Sequence, residues 1–114
     1  MTNDYAEREP GRSDIDALQG ATLLEFGNPY CGHCQRAQAL IGEVLAAHEG
    51  LRHIKIFDGP GRALGRSFGI KLWPSLILMV DGAEVSRVVR PQDVAAIGQI
   101  LALRDRLPAQ HDRF

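Results

Sequence analysis

The spacing of apolar positions changes several times along the chain, and each change predicts a new element. Three short runs rich in apolar residues have the length and composition of β-strands. They cover residues 21–27, 52–57 and 75–80. The third run is followed by Asp81-Gly82, a two-residue hairpin signal, so we expect an antiparallel partner strand over residues 84–89.

Between these runs, apolar residues recur three and four positions apart, which is the spacing of a helix that buries one face. The strongest pattern predicts a helix from Cys31 to about Ala47. Its buried face contains Ala37, Leu40, Ile41, Val44 and Leu45. We expect shorter helices at three other places, namely one capped by Ser13, one over residues 62–68 and one from Pro91 to Pro108.

The order of these elements predicts an α/β fold. A helix connects the strands at 21–27 and 52–57, and a crossover of this kind makes two strands parallel. With the hairpin added, we expect a mixed sheet of four strands with helices packed against it. Glu25 is the one charged residue in the first, mainly apolar strand.

Length and composition fit one folded domain, since the chain has 114 residues and an apolar fraction of 45%. We expect the domain to span residues 13–107, between a flexible polar arm at 1–12 and a polar tail at 108–114. The net charge of −1, without a basic stripe, argues against nucleic acid as a partner. The N-terminus lacks a signal-peptide pattern and no stretch approaches the ~20 apolar residues of a membrane span. We therefore expect a cytoplasmic monomer without a membrane partner.

The only two cysteines form the motif Cys31-Gly32-His33-Cys34. A structural disulfide gains most of its stabilisation by closing a long loop, and this pair closes almost none. The motif follows a strand and opens a helix, where the N–H groups and the partial positive charge favour a thiolate. Cys31 at the tip is therefore expected to attack, and Cys34, one turn further in, to resolve.

The sequence resembles the thioredoxin family over roughly residues 13–104. The resemblance is carried by five segments of the chain. They are Leu23-Leu24-Glu25-Phe26, Tyr30-Cys31-Gly32-His33-Cys34, Phe68-Gly69-Ile70, Trp73-Pro74-Ser75 and the Asp81-Gly82 turn. It implies a thioredoxin-like three-layer sandwich that lacks the family's first strand.

The resemblance also implies a function. Members of the family are thiol–disulfide oxidoreductases that act on protein disulfides and contribute to cell redox homeostasis. They need no cofactor beyond the redox-active pair, here Cys31 and Cys34. The implied partners are disulfide-containing proteins and a protein electron donor such as a thioredoxin-reductase-like enzyme.

Several further site residues follow from the resemblance. It implies a cis Trp73-Pro74 bond beside the two sulfurs and a role for Glu25 as the buried acid that takes the proton of Cys34. Tyr30, Trp73 and Pro74 are expected to contact the substrate, with the side chains of Tyr30 and Trp73 exposed. The lysine that accompanies the acid in the family has no clear match, because either Ile54 or Lys55 can align with it.

Gly32 and His33 between the cysteines are expected to tune the redox pair. Gly-His resembles protein disulfide isomerase, whereas thioredoxins have Gly-Pro at this place. An imidazolium at His33 would stabilise the Cys31 thiolate, and a stabilised reduced form makes the pair more oxidising. The direction of the reaction therefore stays open, since a cytoplasmic location favours reduction.

Two other classes of function compete with the oxidoreductase. Cys31, Cys34, His48 and His53 come close to the spacing of a zinc finger. Gly50 interrupts the helix that would carry both histidines, which argues against a metal site. The second alternative is a thioredoxin-like binding module with little turnover, against which the presence of both cysteines argues.

Overall fold

The computed structural model describes residues 4–6 and 8–105. The helices are α1 (Arg12–Asp16), α2 (Gly32–Ala46), α3 (Ala63–Ser67) and α4 (Val94–Leu101), and a 3₁₀ turn follows at Ala102–Asp105. The strands are β1 (Ala21–Gly27), β2 (Arg52–Phe57), β3 (Ser75–Val80) and β4 (Ala83–Val89). Within the described residues, no helix combines the length and apolar character that crossing a bilayer requires.

The four strands form one mixed sheet in the order β2-β1-β3-β4. β1 and β2 are parallel, whereas β1 with β3 and β3 with β4 are antiparallel. The β3–β4 hairpin turns at Asp81 and Gly82, which both have left-handed backbones with φ of 51° and 82°. This sheet confirms the predicted fold class, and no strand precedes α1 within residues 4–6 and 8–105.

Helices cover both faces of the sheet, so the domain has three layers. On one face, Leu23 of β1 packs with the buried sides of α2 and α4. On the other face, Leu24 and Phe26 pack with α1 and α3. This division follows from the period of a strand, because successive side chains point to opposite faces.

Two predicted helix starts are wrong by a few residues. Ser13 lies inside α1, whose N-cap is Gly11, and the N–H of Gly11 donates to the Asp14 carboxylate at 3.0 Å. Pro91 precedes α4, whose N-cap is Asp93, and the Asp93 carboxylate accepts from the N–H of Ala96 at 2.9 Å. The predicted helix end at Pro108 and the tail at 108–114 lie outside the described residues.

The connections at one edge of the sheet bring the motif and the proline together. β1 ends at Gly27, and Cys31 is the N-cap of the helix that follows. β3 begins at Ser75, which is paired with Phe26 of β1. The start of α2, the end of β1 and the Trp73-Pro74 segment therefore meet at this edge.

Candidate redox site

Cys31 occupies the N-cap of α2, where its sulfur accepts a backbone hydrogen bond. Its backbone is extended, with φ of −88° and ψ of 119°, and Sγ lies 3.2 Å from the backbone nitrogen of Cys34. An N-cap side chain in this geometry satisfies one of the free N–H groups of the first turn. Cys31 is partly exposed and Cys34 is buried, as an attacking and a resolving sulfur require.

The two thiols differ in pKa. Burial acts to raise the pKa of Cys31, but hydrogen bonds from the Cys34 thiol and from the backbone of Cys34 and His33, together with the charge of Arg90, lower it overall. Burial raises the pKa of Cys34 to about 12, and the hydrogen bond with Cys31 acts in the same direction. Cys31 is therefore the sulfur that ionises first.

Gly27 leaves room for the Cys34 sulfur at the end of β1. A Cβ atom at position 27 would lie 2.6 Å from Cys34 Sγ and 3.3 Å from the hydroxyl oxygen of Tyr5. Tyr5 packs edge-on against Phe57 of β2, with 6.0 Å between the ring centroids. Burial and the nearby Cys34 and Glu25 raise the pKa of Tyr5 well above its ordinary value.

Glu25 is fully buried below Cys34 and both of its oxygens have partners. Oε1 lies 2.9 Å from His53 Nε2, and Oε2 accepts from Gln38 Nε2 at 2.8 Å. The same amide nitrogen of Gln38 donates to the carbonyl oxygen of Cys34 at 2.9 Å. Gln38 therefore links the acid to the turn of α2 that carries the resolving cysteine.

Lys55 completes this polar group from the neighbouring strand. It is paired with Glu25 in the parallel register, and its Nζ donates to Gln38 Oε1 at 2.9 Å. The ammonium also lies 4.5 Å from the ring centroid of Tyr5. Ile54 packs in the core on the opposite face of the sheet, so Lys55 is the one of the two candidates that lies on the same face as Glu25.

The Trp73-Pro74 peptide bond is cis, as the resemblance implies. The carbonyl oxygen of Trp73 lies 4.0 Å from Cys31 Sγ and accepts from Arg90 Nε at 2.8 Å. The Trp73 side chain is half-buried, and its Nε1 donates to the buried Asp58 at 2.8 Å. The expectation of an exposed Trp73 is therefore wrong, whereas Tyr30 is 86% exposed.

His33 is exposed and lies beside two arginines. Arg36 Nη2 lies 3.0 Å from His33 Nδ1, and because a guanidinium only donates, Nδ1 accepts. Arg90, slight burial and Arg36 lower the pKa of His33. The expected imidazolium is thus disfavoured, and Arg90 supplies the positive charge beside Cys31.

The four residues with zinc-finger spacing do not converge. His53 lies on β2 and forms a hydrogen bond with Glu25, whereas His48 lies beyond the end of α2. Within the part of the chain that the structure describes, no three His, Cys, Asp or Glu side chains are placed to hold a metal ion.

Comparisons with known proteins agree with this geometry. The family model described as Thioredoxin matches residues 9–102. The chain belongs to the thioredoxin family. Thioredoxin 2 from Pseudomonas aeruginosa PAO1, in its reduced form, is 45% identical and superimposes with a TM-score of 0.82, over 93% of this chain and 99% of that chain.

Two curated relatives extend the comparison. Thioredoxin 1 of Nostoc sp. is 25% identical over 102 residues, which cover 89% of this chain and 91% of that protein. Protein disulfide isomerase-like 2-3 of Oryza sativa subsp. japonica is 30% identical over 103 residues, or 84% of this chain. This chain spans only 23% of the length of that isomerase-like protein. The relatives support thiol–disulfide oxidoreductase chemistry for this thioredoxin-family domain.

Sequence reasoning missed four residues of the site. His53 entered only as a zinc candidate, Tyr5 fell within the predicted arm, and Gln38 and Arg90 had no assigned role. The sequence did contain a signal for His53. Successive side chains of a strand point to opposite faces of the sheet, so His53 lies on the same face as Lys55. Contacts of Tyr5 and Arg90 depend on segments far away in sequence, which no local pattern reveals.

Proposed function

We propose that this chain is a thiol–disulfide oxidoreductase that acts on protein disulfides through Cys31 and Cys34. The observation that carries the proposal is the asymmetry of the pair. Cys31 is partly exposed at a helix N-cap with a lowered pKa, and Cys34 lies buried behind it with a raised pKa. A thiolate is the nucleophile of disulfide exchange, so this arrangement assigns attack to Cys31.

In the reducing direction, the Cys31 thiolate attacks one sulfur of a substrate disulfide. A bond forms between Cys31 and that sulfur, the substrate S–S bond breaks, and the second sulfur leaves with the electron pair. Cys34 then gives up its proton and attacks Cys31 Sγ, so that the remaining substrate sulfur leaves as a thiolate. Two electrons pass to the substrate, and the domain is left with a Cys31–Cys34 disulfide.

The second step needs a proton acceptor near Cys34, and we assign this role to Glu25, acting through a water. His53 and Gln38 hold the two oxygens of the carboxyl group in place. Gln38 also binds the Cys34 carbonyl, which fixes the distance between the acid and the resolving cysteine. Glu25 thus acts on the buried thiol, and the substrate contacts only the outer surface.

The substrate docks around Cys31 in this proposal. Tyr30 offers an exposed ring one residue before the attacking sulfur, and the Trp73 carbonyl borders that sulfur from the Trp73-Pro74 segment, which precedes β3. The domain works without a cofactor beyond its redox-active pair. A protein electron donor such as a thioredoxin-reductase-like enzyme returns it to the dithiol state, in the cytoplasm, as part of cell redox homeostasis.

Variants of the two cysteines test the proposal with insulin as substrate and dithiothreitol as reductant. The wild-type protein is expected to accelerate insulin reduction, and Cys31→Ser to abolish the acceleration. Cys34→Ser keeps the attacking sulfur, so the pre-reduced variant, mixed with insulin without dithiothreitol, is expected to accumulate a mixed disulfide with the substrate on non-reducing gels.

Ser13→Ala is the matched control, because Ser13 is exposed on α1. It is expected to retain the wild-type rate. If the wild-type protein binds disulfide substrates but does not accelerate their reduction, the chain is a binding module and the proposal fails.

A further inference from the structure

A groove of about 610 Å³ opens beside the attacking cysteine, between the first turns of α2 and the segment after β4. Three of the residues that line it are apolar, namely Ala37, Leu40 and Pro91. The others are polar or basic, namely His33, Arg36, Arg90 and Gln92. Aspartate and glutamate are missing from the described residues that line it, so its charge is positive.

Arg90 is held in the groove by an unusual backbone. Its φ is 50°, in the left-handed region that residues other than glycine seldom adopt, and such positions are found more often at functional sites. The backbone N–H of Arg90 donates to the Pro74 carbonyl at 2.9 Å, and Nε donates to Trp73 O at 2.8 Å. These two bonds fix the guanidinium next to the residues that border Cys31.

Neither arginine is neutralised by a carboxylate among the described residues. Among the described residues, Arg36 forms a hydrogen bond only with the ring of His33, and the terminal nitrogens of Arg90 form none with a side chain. Arginine presents several donors in a planar fork that matches a carboxylate. The groove therefore offers two guanidinium groups for an acidic partner.

We propose that this groove binds an acidic segment next to the disulfide of a peptide or protein substrate. The inference rests on the proposed function and names its substrate class. A carboxylate in the groove would pair with Arg36 and Arg90 while the neighbouring substrate sulfur faces Cys31 Sγ. The whole chain has a net charge of −1, so its overall charge does not attract acids, and a preference for them must come from this local pair.

Three disulfide peptides test the inference. They share one sequence with a single disulfide and differ only in three residues beside a cysteine, which are Glu, Gln or Lys. We expect the reduced protein to react about tenfold faster with the Glu peptide than with the Lys peptide at low salt. The second-order rate constant is measured by stopped flow, and the ratio is expected to fall as salt screens the charges.

Arg36→Gln and Arg90→Gln are each expected to lower the Glu-to-Lys ratio about threefold. The ratio is the readout, since Arg90→Gln also changes the environment of Cys31 and can slow all three peptides alike. Arg104→Gln is the matched control because Arg104 contacts Glu49 beyond the far end of α2, about 20 Å from Cys31.

The outcomes separate this inference from the function on which it rests. If all three peptides react equally fast, or if Arg104→Gln lowers the ratio as much as Arg36→Gln, the groove does not select acidic substrates. Rapid reaction with the neutral peptide then still supports the oxidoreductase. If no peptide is reduced, the proposed function itself fails.

Discussion

At the scale of single residues, the candidate site depends on polar groups that the fold removes from water. Glu25 lies in the middle of a sheet, and an unpaired carboxyl group there would be costly. His53, Gln38 and Lys55 prevent that cost by forming a connected group around it. The acid was predictable as an anomaly in an apolar strand, whereas its partners come from two other elements.

His53→Leu tests how much this pairing contributes to stability. The substitution leaves Glu25 Oε1 buried without its partner, so we expect a loss of about 1–3 kcal/mol in the free energy of unfolding. Urea denaturation of the reduced protein measures it. Glu25→Leu combined with His53→Leu also removes the unpaired carboxylate oxygen, and Gln38 keeps its bond to the Cys34 carbonyl, so the double variant is expected to recover part of the loss.

His48→Leu is the control for this prediction, because His48 lies in the turn after α2 and outside the polar group. It is expected to change the unfolding free energy by less than about 0.5 kcal/mol. Equal stability of His53→Leu and the wild-type protein would show that the Glu25–His53 contact contributes nothing.

At the scale of elements, the site depends on how closely β1 approaches the first turn of α2. The strands and the long helix were predictable from apolar spacing, because burial of one face dominates those elements. Two of the three short helices begin at other residues than expected. Gly11 and Asp93 cap them, whereas Ser13 and Pro91 have equally good local signals, and tertiary packing decides between such candidates.

Gly27→Ala tests the approach of β1 to α2. The added Cβ would lie 2.6 Å from Cys34 Sγ, closer than carbon and sulfur can come, so Cys34 must move. We expect the resolving step to slow at least tenfold, with mixed disulfide accumulating, while Cys31 still reacts with iodoacetamide. Quenched-flow gels with a protein disulfide measure the accumulation.

Gly42→Ala is the matched control, since Gly42 lies inside α2 and a Cβ there meets no atom within 4 Å. Alanine also has the higher helix propensity, so this variant is expected to resolve normally and to be slightly more stable. Normal resolution by Gly27→Ala would show that the space behind Cys34 is not required.

At the scale of the whole molecule, the domain combines one low-pKa and one high-pKa thiol in a chain that is almost neutral. The redox-active pair was predictable from its spacing and its place before a helix. The charges around the pair were not predictable in this way. The positive charge beside Cys31 comes from Arg90, 59 positions further along the chain, instead of from His33 within the motif. The reduction potential reports on these charges as a whole.

The reduction potential is therefore expected to depend on pH with two different slopes. Below the pKa of Cys31, reduction takes up two protons with two electrons, so the potential is expected to fall by about 59 mV for each pH unit. Above that pKa only Cys34 takes up a proton, and the slope is expected to halve to about 30 mV. Because the pKa of Cys31 is lowered, the break should lie below the pKa of an ordinary cysteine. The pKa of Cys34 is about 12, so no second break is expected below pH 11.

Equilibration with glutathione buffers from pH 5 to 10 measures the curve, and a single slope up to pH 9 would contradict the assignment of Cys31 as the thiolate.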